Sequence, residues 1–223
     1  QSSYYYCFML LELPMIESEG RYFGRKQGKS FQRLSRFQNL LFKPSKLFFQ
    51  KIINQTLVLE IGIGDGIKIS KDASSDLKKT FIGCDIFMDG ILRAARHQSE
   101  NNLKNLFVFH NNVQDLIPYL PDHSLDNVRI YFPDPWPKAR HKKRRTFNED
   151  LLKQLLRVMK PGSCLNFASD HGDYFLDAMI LVSKFGFKIK GNTPNMWQYS
   201  IFNAISTKYE KKALDKNSKL FYF

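Results

Sequence analysis

Phe132-Pro133-Asp134-Pro135-Trp136-Pro137-Lys138, running into Ala139-Arg140-His141-Lys142-Lys143-Arg144-Arg145, places one carboxylate between two prolines and follows it with a dense cationic run. Proline fixes φ and removes a backbone donor, so Asp134 is expected on a stiff loop whose amides leave its oxygens free for a ligand. The cations match a phosphate backbone, and Trp136 offers a flat face for a nucleobase. Pro-Asp-Pro alone is an ordinary turn, and a lysine-arginine run alone is a solvated face. The setting makes the combination informative. Leu125 to Phe132 reads as a buried strand, so Asp134 falls at a strand's carboxyl end, the edge at which open α/β sheets bind ligands. Acid, aromatic and cations at that edge point to chemistry on a nucleic-acid base.

A second constellation is Glu60-Ile61-Gly62-Ile63-Gly64-Asp65-Gly66, a strand-to-helix glycine turn of the kind that lets a nucleotide cofactor approach the backbone. Its G-x-G-x-G spacing differs from the dinucleotide fingerprint, which has the third glycine one position later and faces a pyrophosphate. S-adenosylmethionine has no phosphate and carries an ammonium and a sulfonium, so Glu60 suits it and is awkward beside a pyrophosphate. Asp85, ending the second strand, is placed to accept from both ribose hydroxyls. Asn111, just past the third strand, can meet an adenine edge as donor and acceptor. Acids and amides at strand ends also cap the helix that follows, and Asp85 and Asn111 admit that reading too.

These residues need a scaffold that alternates strand and helix. Strands are expected at Thr56–Ile61, Thr80–Ile86, Leu106–His110, Leu125–Phe132 and Ser163–Ser169, with weaker ones at Phe185–Lys190 and Ile201–Thr207. Helices are expected at Gly66–Asp76, Asp89–Asn102, Phe147–Met159 and Asp173–Lys184, with Pro161-Gly162 stopping the third of these before the fifth strand. Repeated βα units imply an α/β fold, a mostly parallel central sheet with helices on both faces. The reading divides the chain into a basic N-terminal arm, residues 1–45, flexible at its start, and a domain, residues 46–223. Gln1–Pro14 reads as an upstream extension, with Met15 an alternative start.

With 223 residues, 43% of them hydrophobic, the chain is long enough for one well-packed core, and a formal charge of +13 suits a polyanionic partner. The charge is clustered. One group is Arg21, Arg25, Lys26, Lys29, Arg33 and Arg36, interleaved with aromatics; the other is the Lys138–Arg145 run. The apolar residues of the first group do not keep helical spacing across Gly20, Gly24 and Gly28, which argues against a membrane-surface helix. Cys7, Cys84 and Cys164 are odd in number and show no Cys-x-x-Cys pair, so neither structural zinc nor a disulfide framework is expected. No run approaches the length of a membrane span, and a cytoplasmic location is expected.

Together these segments resemble the bacterial tRNA (guanine-N7-)-methyltransferases, which use S-adenosylmethionine. The resemblance runs through Glu-x-Gly-x-Gly-x-Gly, the strand-end acid, the Pro-Asp-Pro-Trp block with its basic tail, Ser169-Asp170-His171 and Thr207-Lys208-Tyr209-Glu210, and upstream to Arg21–Gly28. It implies a Rossmann-like class I methyltransferase fold and methylation of N7 of a guanine, guanine 46 of the tRNA variable loop. Glu60, Gly62, Gly64, Asp85, Asn111 and Asp134 become cofactor contacts, with Asp134 also catalytic. Lys138, Asp170, Thr207, Lys208, Tyr209 and Glu210 become substrate contacts, and Arg140, His141, Lys142, Lys143, Arg144 and Arg145 the RNA-binding run. Two residues depart from the common pattern: Asp85 stands where many members have glutamate, and Asn111 where many have aspartate. Both keep an acceptor oxygen, so altered cofactor affinity is expected rather than lost activity. The resemblance implies tRNA as partner without an obligate protein subunit, and leaves monomer or homodimer open. A non-catalytic RNA-binding subunit or tRNA chaperone on the same fold is the alternative from another class. An NAD-dependent oxidoreductase is disfavoured by the glycine spacing and the charge.

Overall fold

The computed structural model describes residues 35–190, 207–215 and 219–223. A 3-10 turn at Ser35–Leu40 leads to α1 (Lys46–Lys51), β1 (Thr56–Ile61), α2 (Ile67–Ser75), β2 (Lys79–Asp85), α3 (Met88–Glu100), β3 (Leu106–His110) and the short α4 (Val113–Leu116). Then come β4 (Leu125–Tyr131), α5 (Glu149–Val158), β5 (Met159–Ser169), α6 (Gly172–Lys184), α7 (Lys208–Asp215) and β6 (Phe221–Tyr222). The sheet order is β3-β2-β1-β4-β5-β6, parallel except for β6, which runs antiparallel to β5. The order reverses between β1 and β4. That is the topological switch point, where the crevice outside the strand ends takes ligands.

Alternation along the strands sorts the two faces. Leu57, Leu59 and Ile61 of β1 and Val128 and Ile130 of β4 enter the larger core, beneath α5 and α6. Val58 and Ile69 belong to the other, beneath α2 and α3. Glu60, Arg129 and Tyr131 therefore share the α2 face of the sheet. The 3-10 turn packs on α3, and the Phe42 amide donates to the Val108 carbonyl at 2.7 Å while its ring meets Phe48 and Phe107. Among the described residues no helix is long and apolar enough to cross a membrane.

Two expectations need correction, and a third falls almost entirely outside the described residues. Pro161-Gly162 is not the boundary between helix and strand: α5 ends at Val158 and β5 begins at Met159. Met159 pairs with Leu125, the register shifts, and Cys164 pairs with Asn127, so Pro161 and Gly162 form a bulge inside the strand. Phe185–Lys190 is not a strand. Gly186 at φ 79° closes α6, its amide donating to Ser183 and that of Phe187 to Val182, the paired bonds of a Schellman ending. The apolar residues Phe187 and Ile189 then pack on the core without pairing. Of the expected strand Ile201–Thr207, residues 201–206 lie outside the described residues, and Thr207 is the residue before α7.

Gly66 begins α2 at φ 72°, and a Cβ there would stand 2.2 Å from the Ala94 Cβ of α3. The backbone conformation and the close approach of two helices exclude a side chain together. Gly66→Ala is expected to lose about 2–4 kcal/mol in urea unfolding. Gly162→Ala has a similar positive φ with no atom within 4 Å of its Cβ, so it is expected to lose only about 1 kcal/mol.

Candidate active site at the switch point of the sheet

β1 delivers Glu60 to the switch point at 3% exposure. Its Oε2 accepts no hydrogen bond and lies 3.8 Å from the Arg129 guanidinium. Burial pushes the carboxyl up to about 7, opposed by Lys68 and Arg129 and reinforced by Asp72. A carboxylate with an unpartnered buried oxygen at the mouth of a cavity is suited to receive a cation. That cavity, about 240 Å³, is also lined by Gly62, Tyr131 and Thr207 and by three lysines, Lys68, Lys71 and Lys211. Lys68 is tied to Asp72 at 2.6 Å and stands over the Tyr131 ring.

The glycine loop is held from β2. The amides of Gly62 and Ile63 donate to the Cys84 carbonyl, and the Gly64 amide donates to Asp85 Oδ2 at 2.9 Å. Asp85 Oδ1 accepts from Phe87 at 2.9 Å. Burial pushes the Asp85 carboxyl up, opposed by the amides of Phe87, Gly64 and Ile86. Asp85 thus organises the loop while keeping further acceptor capacity on both oxygens. Asn111 follows β3, where its Oδ1 accepts from the Asn112 amide, and Asn112 caps α4. Asp85, Asn111 and Asp134 sit at the same sheet edge without lining the cavity.

Asp134 follows β4, is exposed, and accepts no hydrogen bond from any described residue. Its loop is strained: Phe132 and Trp136 hold φ of 50° and 42°, values that non-glycine residues rarely adopt. Three contacts secure it. The Phe132 amide donates to Ala168 at 2.8 Å, Arg145 Nε donates to the Pro135 carbonyl at 2.8 Å, and Arg144 stands 5.0 Å over the Trp136 ring. The stiffness expected from proline is therefore completed by two arginines from the basic run.

That run divides in two. Ala139–Arg144 forms a 3-10 turn preceded by Lys138, and Lys138, Arg140 and Lys143 are exposed. Lys142 is exposed as well and pairs with Asp177 at 2.9 Å. His141 meets the edge of Trp136, and its pKa is lowered by desolvation and by Arg144, Arg140 and Lys138. Arg145 departs from the expected RNA face. It is 4% exposed, pairs with Asp177 and lies 4.4 Å over the Tyr174 ring. Trp136 likewise has a guanidinium and an imidazole against it where an open stacking face was expected.

Thr207 and Glu210 form a reciprocal capping box at the start of α7: the Glu210 amide donates to Thr207 Oγ1 at 3.0 Å and the Thr207 amide to Glu210 Oε2 at 3.1 Å. Glu210 Oε1 accepts from the Tyr222 hydroxyl. The carboxylate therefore fastens α7 to β6, and Thr207 reaches the cavity. Lys208 and Tyr209 lie in the first turn of α7. Asp170 is exposed directly after β5, beside the strand that leads to Asp134. Sequence reasoning passed over Arg129, Tyr131, Lys68, Lys71 and Lys211. The signal for the first two was present, since Asn127, Arg129 and Tyr131 are polar at every second position of an apolar strand.

The sheet order, the glycine loop with its buried acid and the acid ending β2 define a class I S-adenosylmethionine-dependent methyltransferase. Solved structures share this fold: an antibiotic-related methyltransferase aligns over 81% of this chain and 93% of its own with TM-score 0.58 and 21% identity, and a 16S rRNA methyltransferase over 81% and 94% with TM-score 0.56 and 13% identity. The family model described as "Putative methyltransferase" matches residues 54–223. The tRNA (guanine-N(7)-)-methyltransferase of Zymomonas mobilis is 32% identical over 213 residues, 91% of this chain and 92% of the relative. The chain belongs to the tRNA (guanine-N(7)-)-methyltransferase family. It is also 36% identical over 203 residues, 88% of its length, to a bifunctional methyltransferase of Rickettsia prowazekii, of which it spans 38%.

Because burial raises the Glu60 carboxyl from 4.5 to about 7, the unfolded chain holds fewer protons than the folded one between those values, and stability falls as pH rises through that window. Glu60→Gln removes this dependence. The variant is expected to gain up to about 3 kcal/mol over the wild type when the comparison moves from pH ~4 to pH ~8 in ligand-free urea unfolding. It is expected to lose affinity for a cationic ligand at the same time.

Proposed function

We propose that this chain transfers a methyl group from S-adenosylmethionine to N7 of a guanine in tRNA, guanine 46 of the variable loop. The observation that carries the reading is the Asp134 loop, rigid and with its carboxylate open, across the switch point from the buried Glu60. The exposed cations Lys138, Arg140 and Lys143 continue directly from that loop.

The residues at the site fit the cofactor. Glu60 offers its unpartnered oxygen to the ammonium, Gly62 and Gly64 present backbone, and Asp85 has acceptor capacity for ribose hydroxyls. Asn111, directly after β3 on the same sheet edge, is the amide assigned to the adenine edge in this reading. When bound, the cofactor supplies an electrophilic methyl on sulfur. Guanine N7 would attack that methyl with its in-plane lone pair, the N7–carbon bond forming as the carbon–sulfur bond breaks, with no proton to be removed by the protein. Positioning then supplies most of the rate. The base becomes cationic as the sulfonium becomes a neutral thioether, and Asp134 is the carboxylate placed to stabilise the developing charge. A carboxylate from Asp134 or Asp170 also accepts from guanine N1–H and N2–H, a pattern that adenine does not present. Lys138 and the exposed part of the run hold the phosphate backbone, while Arg144 and Arg145 hold the loop.

The deciding assay incubates the protein with unmodified tRNA and methyl-labelled S-adenosylmethionine, digests the RNA and identifies the labelled nucleoside. Label in 7-methylguanosine is expected, with Asp134→Asn slowing single-turnover transfer by about 100-fold or more. Full activity and unchanged cofactor affinity in that variant would remove Asp134 from its role, and cofactor binding without transfer would favour a non-catalytic RNA-binding protein.

Replacing Lys138, Arg140 and Lys143 together by alanine is expected to weaken tRNA binding and to reduce the slope of log K against log salt by roughly 2–3, at about 0.7–0.9 per phosphate contact. Affinity for S-adenosylhomocysteine is expected to be unchanged, and an unaltered salt slope would move the RNA face elsewhere.

A further inference from the structure

A row of residues crosses the sheet under the cavity. Register pairs Glu60 of β1 with Arg129 of β4, and Arg129 with Asn166 of β5; on the other side of Glu60 stands Gly83 of β2. With no side chain from Gly83, the neighbour that faces Glu60 within the sheet is Arg129. That guanidinium is fixed from two further directions. Its Nε donates to Asn127 Oδ1 at 2.9 Å, Asn127 in turn donates to Asn166 Oδ1 at 2.7 Å, and Nη1 pairs with Asp72 of α2 at 2.5 Å. The ring of Phe81 lies 5.7 Å from its centre.

The charges facing Glu60 are these. α2 contributes Lys68 and Asp72, and β4 contributes Arg129 and the buried hydroxyl of Tyr131. Lys71 of α2, Lys211 of α7 and Asp65 of the glycine loop reach the same cavity, and the Cys84 thiol of β2 is buried nearby. Within the inner quartet, two acids balance two bases. Removing one base leaves two carboxylates for a single cation, and the acid that takes up a proton is the more deeply buried one, Glu60. Lys68 favours the ionised form too, from α2, where it is buried, bound to Asp72 and over the Tyr131 face. Arg129 makes no hydrogen bond to Glu60 at 3.8 Å, so it supplies field and position without taking up the hydrogen-bonding capacity of the buried Oε2.

We propose that Arg129 is a positioning residue of the cofactor site: clamped by Asp72 and Asn127, it faces Glu60 across the β1–β4 pair and, with Lys68, favours the ionised carboxylate at the cavity, where the ammonium of the cofactor enters. The assignment rests on S-adenosylmethionine being the methyl donor. It gives the polar row a purpose that core packing alone does not, because four hydrogen-bonding side chains in a sheet interior are costly unless each is satisfied or used.

The test uses the full chain with Arg129→Gln and the charge-retaining Arg129→Lys, and two readouts. In the ligand-free protein, the side-chain carboxyl of Glu60 is titrated by carbon-13 NMR. Its midpoint is expected to rise by about one pH unit in Arg129→Gln and to stay near the wild-type value in Arg129→Lys. In binding experiments, S-adenosylhomocysteine affinity is expected to fall about fivefold in Arg129→Gln near pH ~7 and to recover by pH ~9, with Arg129→Lys close to wild type. The affinity of 5′-methylthioadenosine, which lacks the amino-acid arm, is expected to be unchanged. An unmoved Glu60 midpoint overturns the proposal, as does a loss of equal size at every pH or one shared by 5′-methylthioadenosine, which would mark a merely structural arginine. Failure of the wild type to bind either nucleoside would instead remove the cofactor reading, while the ligand-free titration would still report whether Arg129 holds Glu60 ionised.

Discussion

A carboxylate buried at the point where a parallel sheet changes direction is the constraint to which the rest of this structure answers. Burial alone favours the protonated form of Glu60, and the protein surrounds it with groups that oppose this without bonding its buried Oε2, namely Lys68 and Arg129. The arrangement is strained in the electrostatic sense, and under the proposed cofactor reading a cation arriving from the cavity relieves it, so that binding and charge compensation become one event.

The same crevice imposes a second form of strain, in the backbone. Phe132 and Trp136 both occupy left-handed conformations around Asp134, and such conformations persist only where surrounding contacts outweigh their cost. Here the contacts come from the basic run. Arg145 bonds the Pro135 carbonyl from a buried seat on Tyr174, and Arg144 covers Trp136. A segment that looks uniformly electrostatic in sequence is divided between holding the Asp134 loop and facing solvent. The division follows from the 3-10 turn at Ala139–Arg144, which rotates successive side chains to different sides.

At the far side of the cavity, α7 is fastened rather than left to present its acid outward. The Thr207–Glu210 capping box and the Tyr222 hydroxyl use both oxygens of Glu210, which ties the helix to the edge strand that closes the sheet. Thr207 and Lys211 thereby come to the cavity from a segment distant in sequence from Glu60. The apolar row Phe167, Phe223 and Phe175 keeps that edge in place behind them.

Much of this was legible from the chain alone. Five parallel strands and four of the helices follow from alternation and helical spacing, and the glycine turn and the Pro-Asp-Pro block lie at strand ends because apolar runs stop there. These are local signals, set by backbone sterics and side-chain periodicity. What the sequence could not decide depends on residues brought together across distance. Pro161-Gly162 reads as a helix stop, yet pairing with β4 draws Met159 into the strand and turns the two residues into a bulge. Phe185–Lys190 has strand-forming residues, yet the glycine that closes α6 sends Phe187 and Ile189 against the core without a partner strand. Arg145 is chemically identical to its exposed neighbours and becomes a core residue only because Tyr174 and Asp177 of α6 meet it there. Periodicity and residue type determined which groups stand at the sheet's edge; desolvation and cross-strand register, which exist only in the folded chain, decided which of them carry charge and toward what they point.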